Sequence, residues 1–150
     1  MNIICLDLDD CILPNNVNSG FNDNEIYQIL EKNLIKLVQL SKNINATFFL
    51  TSSWSIILNL DDGIFSFKKD LYSSYLPDTL PILSKYIGHN IVGLSNGDRY
   101  EDRRILLLEG HKLIIFDDMQ FDEKENQLYF KTNNFIQDSY IEESIKWIEE

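Results

Sequence analysis

Cysteine is scarce in this chain. Only Cys5 and Cys11 occur among 150 residues, too few for a cysteine zinc site or a disulfide framework. Histidine is equally scarce: His89 and His111 are the whole complement, and neither has a Cys or His partner at metal-ligand spacing. Both read as surface or hydrogen-bonded residues. Positive charge is short as well. Thirteen Lys and Arg stand against 24 Asp and Glu, a formal net charge of -11, with no basic cluster to offset it locally. Such a field repels polyanions and argues against nucleic acid as a tight partner of this chain alone. No apolar run approaches the roughly 20 residues of a membrane helix, and no basic segment precedes the first apolar run, so neither a membrane span nor a signal peptide is expected and a cytoplasmic location is. Internal repeats, linkers and low-complexity segments are missing too, so residues 1–150 are read as one domain. What is present is core: hydrophobic residues make up 44% and aromatics 12%, which implies packing and excludes disorder.

The chain opens MNIICLDLDDCIL. A short apolar strand over residues 2–6 runs straight into Asp7, Asp9 and Asp10. Burying an unpaired charge is expensive, and like charges held close repel or take up a proton. A metal or another cation is therefore expected beside them. Cys5 reads as a small core residue. Cys11 is set aside as a nucleophile, because a cysteine-dependent phosphatase needs an arginine six residues on, where Val17 stands.

Helical spacing of Ile26, Leu30, Leu34, Leu37 and Val38 predicts a helix from Glu25 to Lys42, with Asn22 and Glu25 as its capping box. A strand follows over Ala46–Leu50, then TSSW, then a short helix over Ser53–Leu60 closed by the turn Asp61-Asp62-Gly63. Residues 64–88 are the least legible. They hold Phe65, Phe67, Tyr72, Tyr75 and Tyr86, and Pro77 and Pro81 break any long helix. The stretch 61–88 reads as an aromatic packing insertion or as a lid. Further strands are expected at Ile91–Leu94, Lys112–Phe116 and Leu128–Lys131. Helices are expected at Tyr100–Glu109, with Asp98 and Glu101 as cap and partner, and at Ser139–Trp147, with Ser139 and Glu142 as a capping box. The acids from Asp122 to Glu125 read as a solvated hairpin.

Apolar strands alternating with helices predict an α/β fold, a parallel sheet covered on both faces. Ligands in such sheets bind at the carboxyl ends of the strands. Three polar clusters should meet there: Asp7 with Asp9, Thr51 with Ser52, and Asp117 with Asp118.

In order and spacing these motifs resemble those of the haloacid dehalogenase-like (HAD) phosphohydrolases. LDLDDC is similar to the first motif, FFLTSSW to the second and IIFDD to the fourth. A basic residue at the start of the helix before the fourth strand would be the third. The resemblance spans residues 3–118, and TSSW in a short chain looks most like the small HAD domains grouped with "Swiss army knife" RNA-repair proteins. It implies a three-layer Rossmann-like fold, a minimal or absent cap and a magnesium-dependent phosphatase. About ten residues separate the first strand from the first helix, leaving no room there for a large cap.

The residue chemistry runs parallel to that likeness. Asp7 is the expected nucleophile, forming an aspartyl-phosphate. Asp9 is the expected general acid, then the base for water. Asp7, the Asp9 carbonyl and Asp117 or Asp118 would hold Mg2+, a hard ion that prefers oxygen. Thr51 and the Ser52 amide would meet a phosphoryl oxygen, although Thr-Ser-Ser is also ordinary capping chemistry. Trp54 reads as packing. The cation is Arg99 if Asp98 caps the helix, with Arg103 as the alternative and Arg104 as a flanking residue. Asp10 and Cys11 depart from the small residues usual after the second aspartate, and Asp10 adds charge beside the nucleophile. A receiver domain also clusters acids, but its acceptor aspartate ends a middle strand, where this chain has Thr51. The expected partner is a small phosphorylated substrate of unspecified identity. The rivals are a catalytically silent HAD-fold binding module and a nucleic-acid end-healing phosphatase, and oligomeric state is not readable.

Overall fold

The computed structural model describes residues 1–15, 17–69, 76–119 and 125–150. At its centre lie five short strands: β1 (Asn2–Leu6), β2 (Ala46–Leu50), β5 (Ile91–Leu94), β6 (Lys112–Asp117) and β7 (Gln127–Lys131). They form one sheet in the order β5-β2-β1-β6-β7, and every neighbouring pair is parallel. Parallel neighbours need crossovers, and the helices α1 (Asp23–Ile44), α2 (Thr79–Ile87), α3 (Arg99–Leu108) and α4 (Asp138–Glu149) lie between or after the strands.

The pleat divides the core in two. Ile4, Leu6, Phe48, Leu50, Ile114 and Phe116 face a large cluster completed by α1, α2 and α4. Ile3, Cys5, Leu113 and Ile115 face the other way, against Leu106 of α3. Helices thus cover both faces, as near-continuous apolar strands require. The result is a three-layer Rossmann-like α/β fold. The link from β1 to α1 runs only from Asp7 to Asn22, well short of the roughly 40 residues at which a separate folded unit becomes feasible.

Local chemistry explains the element ends. Asn22 caps α1: its Oδ1 accepts from the Glu25 N–H at 2.9 Å and Glu25 Oε1 accepts from the Asn22 N–H at 3.2 Å. The expected capping box of α4 does not form. That helix starts at Asp138, and no side chain of its N-cap Gln137 bonds the helix. Its start is held instead by Lys36, which donates to the Ile136 carbonyl at 2.9 Å and pairs with Asp138 at 3.0 Å.

The segment after β2 differs most from expectation. Only a 3-10 turn forms, over Ser53–Ile57, followed by an antiparallel hairpin of β3 (Leu58–Asp61) and β4 (Ile64–Phe67). Leu58, Leu60, Phe65 and Phe67 share its inner face while Asn59, Asp61 and Ser66 are not buried, an alternation with the period of a strand. Asp62 and Gly63 turn the chain at φ of 48° and 77°, the left-handed pair that a two-residue hairpin turn demands. A side chain at Gly63 would also lie 2.3 Å from the His89 ring. Beyond the hairpin, α2 tolerates Pro81 because the residue sits in the first turn, where no helical N–H partner is lost. Tyr72 and Tyr75 lie outside the described residues. Of the acidic stretch 122–125, residues 122–124 also do. The strands on either side, β6 and β7, run parallel. Among the described residues no helix is long and apolar enough to cross a membrane.

One buried polar side chain ties the fold together. Asn33, on the core face of α1, donates to the carbonyls of Ile12 at 2.9 Å and Asn134 at 2.8 Å, and accepts from the Ile136 N–H at 2.9 Å. It joins the loop after β1 to the loop after β7. Asn33→Leu keeps the volume but leaves those backbone groups unpaired, each at a cost of about 1–3 kcal/mol. We expect urea unfolding of this variant to show a loss of about 3 kcal/mol or more; a loss within about 0.5 kcal/mol, typical of a surface change, would show that the tie is idle.

Candidate active site

The sheet does not stop abruptly at its carboxyl edge. The ladder continues one residue further on each strand: the Asp7 N–H donates to the Phe116 carbonyl at 3.0 Å, Thr51 to Leu6 at 2.9 Å, and Ser95 to Leu50 at 2.9 Å. Backbone bonds thus place Asp7, Thr51 and Ser95 side by side on one rim. Asp117 is the last residue of β6, the strand next to β1.

Three carboxylates converge there. Asp7 and Asp117 are buried, 4% and 1% exposed, and Asp118 is half-buried. Their ligand oxygens all lie within 4.8 Å of one another. Arg99 reaches them from the first turn of α3. Its Nη1 donates to both Asp117 oxygens, at 3.0 and 2.9 Å, and stands 3.8 Å from Asp7 Oδ2. The Met119 N–H adds a donor to Asp117 at 3.0 Å.

One guanidinium does not balance three acids. Burial above all, and next the charge of Asp117, pushes the Asp7 carboxyl up to about 8. Burial also raises Asp117, against the Met119 N–H and Arg99, which pull it down. An all-oxygen, net-negative cluster that holds protons for want of positive charge suits a hard divalent cation. Asp7, Asp117 and Asp118 can therefore hold one.

Asp9 lies just outside the cluster. It occupies a tight turn in which the N–H groups of Cys11, Ile12 and Leu13 all donate to the Leu8 carbonyl. Its Oδ2 accepts from Trp54 Nε1–H at 2.7 Å. Burial raises its carboxyl, and the Trp54 bond works in the opposite direction. Asp10 takes the left-handed position of the turn, φ 58°, and its side chain is exposed. Cys11 is buried with Sγ 2.6 Å from Thr132 Oγ1, and burial pushes its thiol well up, so it carries no thiolate.

Thr51 and Ser52 divide two tasks between them. Ser52 caps the 3-10 turn, its Oγ accepting from the Trp54 N–H at 3.2 Å. Thr51 is 3% exposed, and its hydroxyl has no hydrogen-bond partner among the described residues. Buried hydroxyls are seldom left so, and this one follows the strand beside Asp7.

The three arginines separate cleanly. Asp98 Oδ1 accepts from the N–H groups of Tyr100 and Glu101, both at 3.1 Å, so α3 begins at Arg99. Glu101 does not complete a capping box; its carboxylate takes Arg104 instead. Arg103 is 5% exposed and donates Nε to the Arg99 carbonyl at 3.0 Å. Among the described residues, Arg99 places its guanidinium on the clustered carboxylates and Arg104 on Glu101.

Ser95 was not anticipated from sequence. Its hydroxyl bonds Asp102 of α3 and accepts from the Gly97 N–H at 3.1 Å, fastening the helix that carries Arg99 to the end of β5. Its signal was present: Ser95 follows β5 just as Thr51 follows β2. Comparison with known proteins adds no relative, since no family model, curated protein or solved structure matches the chain.

The raised carboxyls set a direction for stability. Asp7 stands at about 8 in the folded chain against its ordinary 3.8, so the folded state binds the extra proton and that contribution is lost as pH rises through the interval. In chelator, melting temperature should fall between about pH 5 and pH 8, and Asp7→Asn should flatten the slope. Mg2+ favours the ionised acids, so its stabilising shift should grow with pH. A magnesium shift that is absent, or equal at both ends of the range, would contradict the site.

Proposed function

We propose that the chain is a magnesium-dependent phosphatase of the HAD-like kind, hydrolysing a phosphomonoester through an aspartyl-phosphate on Asp7. One observation carries the proposal. Asp7 is pinned by its backbone between the Asp117 carboxylate, the Arg99 guanidinium and the strand followed by Thr51, whose hydroxyl has no partner among the described residues.

Asp7, Asp117, Asp118 and the Asp9 carbonyl would hold Mg2+, whose chemistry is to neutralise charge between the carboxylates and an incoming phosphate. The chain's own groups do the rest. An Asp7 oxygen attacks phosphorus as the bond to the leaving oxygen breaks. The Asp9 carboxyl gives its proton to that oxygen, then accepts one from the water that hydrolyses the aspartyl-phosphate. Thr51 Oγ1–H and the Ser52 N–H donate to phosphoryl oxygens, and Arg99 stabilises the charge that spreads over them. Arg103 supports Arg99 from behind through its carbonyl. The net charge of -11 favours a small phosphorylated substrate over a polynucleotide.

The two front aspartates should fail differently. Asp7→Asn should abolish turnover and form no phosphoenzyme. Asp9→Asn should still transfer phosphate from nitrophenyl phosphate, whose leaving group needs little protonation, and then stall. Rapid mixing with intact-mass detection should show a burst and a trapped phosphoenzyme for Asp9→Asn. A phosphoenzyme on Asp7→Asn would remove Asp7 as nucleophile, and a parent chain that turns over no phosphoester would leave a silent binding module.

The arginines give a graded comparison. Arg99→Ala should lower kcat/KM by roughly 10²–10³, the range for a lost donor to transferring charge. Arg103→Ala should cost less in rate. The reverse order, measured in steady-state assays on folded variants, would move the cation site.

A further inference from the structure

A general acid must present its proton at one oxygen and in one direction. In Asp9 both backbone and side chain are constrained. The backbone is held in the turn after β1, where Asp9 bridges to Leu13 and the Asn134 N–H donates to the Asp10 carbonyl at 3.1 Å. The side chain is held by Trp54. An indole N–H can only donate, so Oδ2, 2.7 Å from Trp54 Nε1, must accept. The proton that Asp9 gives and takes is thereby assigned to Oδ1.

Trp54 is itself fixed. It is 7% exposed, and its backbone N–H is bound to Ser52 Oγ. Its ring lies against Phe67, with centroids 5.9 Å apart and planes at 41°. Phe67 belongs to β4, where it pairs with Leu58 of β3. A continuous line of contacts therefore runs from the inserted hairpin through Phe67 and Trp54 to Asp9. A buried indole N–H needs an acceptor, and here the acceptor is the Asp9 carboxylate itself.

We propose that Trp54 is a positioning residue for the phosphatase proposed above, orienting Asp9 so that Oδ1 faces the leaving oxygen, and that the β3–β4 hairpin is its buttress. The inserted segment then acts on the chemistry from the side, through a side chain, and this function does not require it to close over the substrate.

Leaving groups separate this role from a merely structural one. Trp54→Phe keeps a ring against Phe67 and removes the N–H. A badly oriented acid matters little when the departing group is nitrophenolate and greatly when it is an alkoxide. The loss in kcat/KM, which reads phosphoryl transfer and not the later hydrolysis of the aspartyl-phosphate, should be greater for glycerol phosphate than for nitrophenyl phosphate by about tenfold or more. Phe67→Leu loosens the seat of the indole without touching its nitrogen and should show the same asymmetry more weakly. That second variant decides the matter if Trp54→Phe does not fold. Equal losses on the two substrates would reduce Trp54 to packing and overturn the inference while the phosphatase stands. A parent chain inactive on both would overturn the phosphatase itself, and with it the acid that Trp54 is held to orient.

Discussion

Asp7 and Asp117 end adjacent parallel strands, so the sheet itself forces two carboxylates together. Each is fixed by backbone ladder bonds, and neither can withdraw into water. Much of the rim can be understood as a response to that repulsion. Arg99 sits between them, the Met119 N–H turns toward Asp117, and Asp7 keeps a proton up to about pH 8 without other positive charge. A buried cluster of this kind does little for stability, since replacing buried ions by apolar groups is commonly neutral or better.

Helix α3 covers the second face of the sheet and is held so that Arg99 reaches the carboxylates. Asp98 sets its first residue, Asp102 ties it to Ser95 at the end of β5, and Arg103 holds the Arg99 carbonyl from the buried side. On the opposite face the larger core anchors α1, α2 and α4 and takes in Leu8, Cys11, Ile12, Leu13 and Trp54 of the loops at the carboxyl edge. The site is thus built on strand ends and one helix start, elements that hold a side chain more firmly than a loop does.

Legibility followed range. The first strand, the capping box of α1, the Asp98 cap and the convergence of Asp7, Thr51 and Asp117 on one rim could all be read from neighbours in sequence, because period and capping are local physics. The hairpin was hidden by a short apolar run whose alternation was taken for a helix turn. The start of α4 was misplaced because Lys36, about 100 residues away, outcompeted a local capping box. Asn33 falls inside the predicted helix, and its bonds to two distant loops leave no mark in the local pattern.

The sequence by itself determined the five strands of the main sheet and the acids that end β1 and β6, since a buried strand must be apolar. It also narrowed the cation to three arginines. Only the tertiary structure decided among them, because the direction of each guanidinium depends on how α3 lies against β5 and β6. Only the tertiary structure, too, brought Trp54 to Asp9 and left the Thr51 hydroxyl without a partner among the described residues. Those relations join residues far apart along the chain, and no local pattern carries the distance between them.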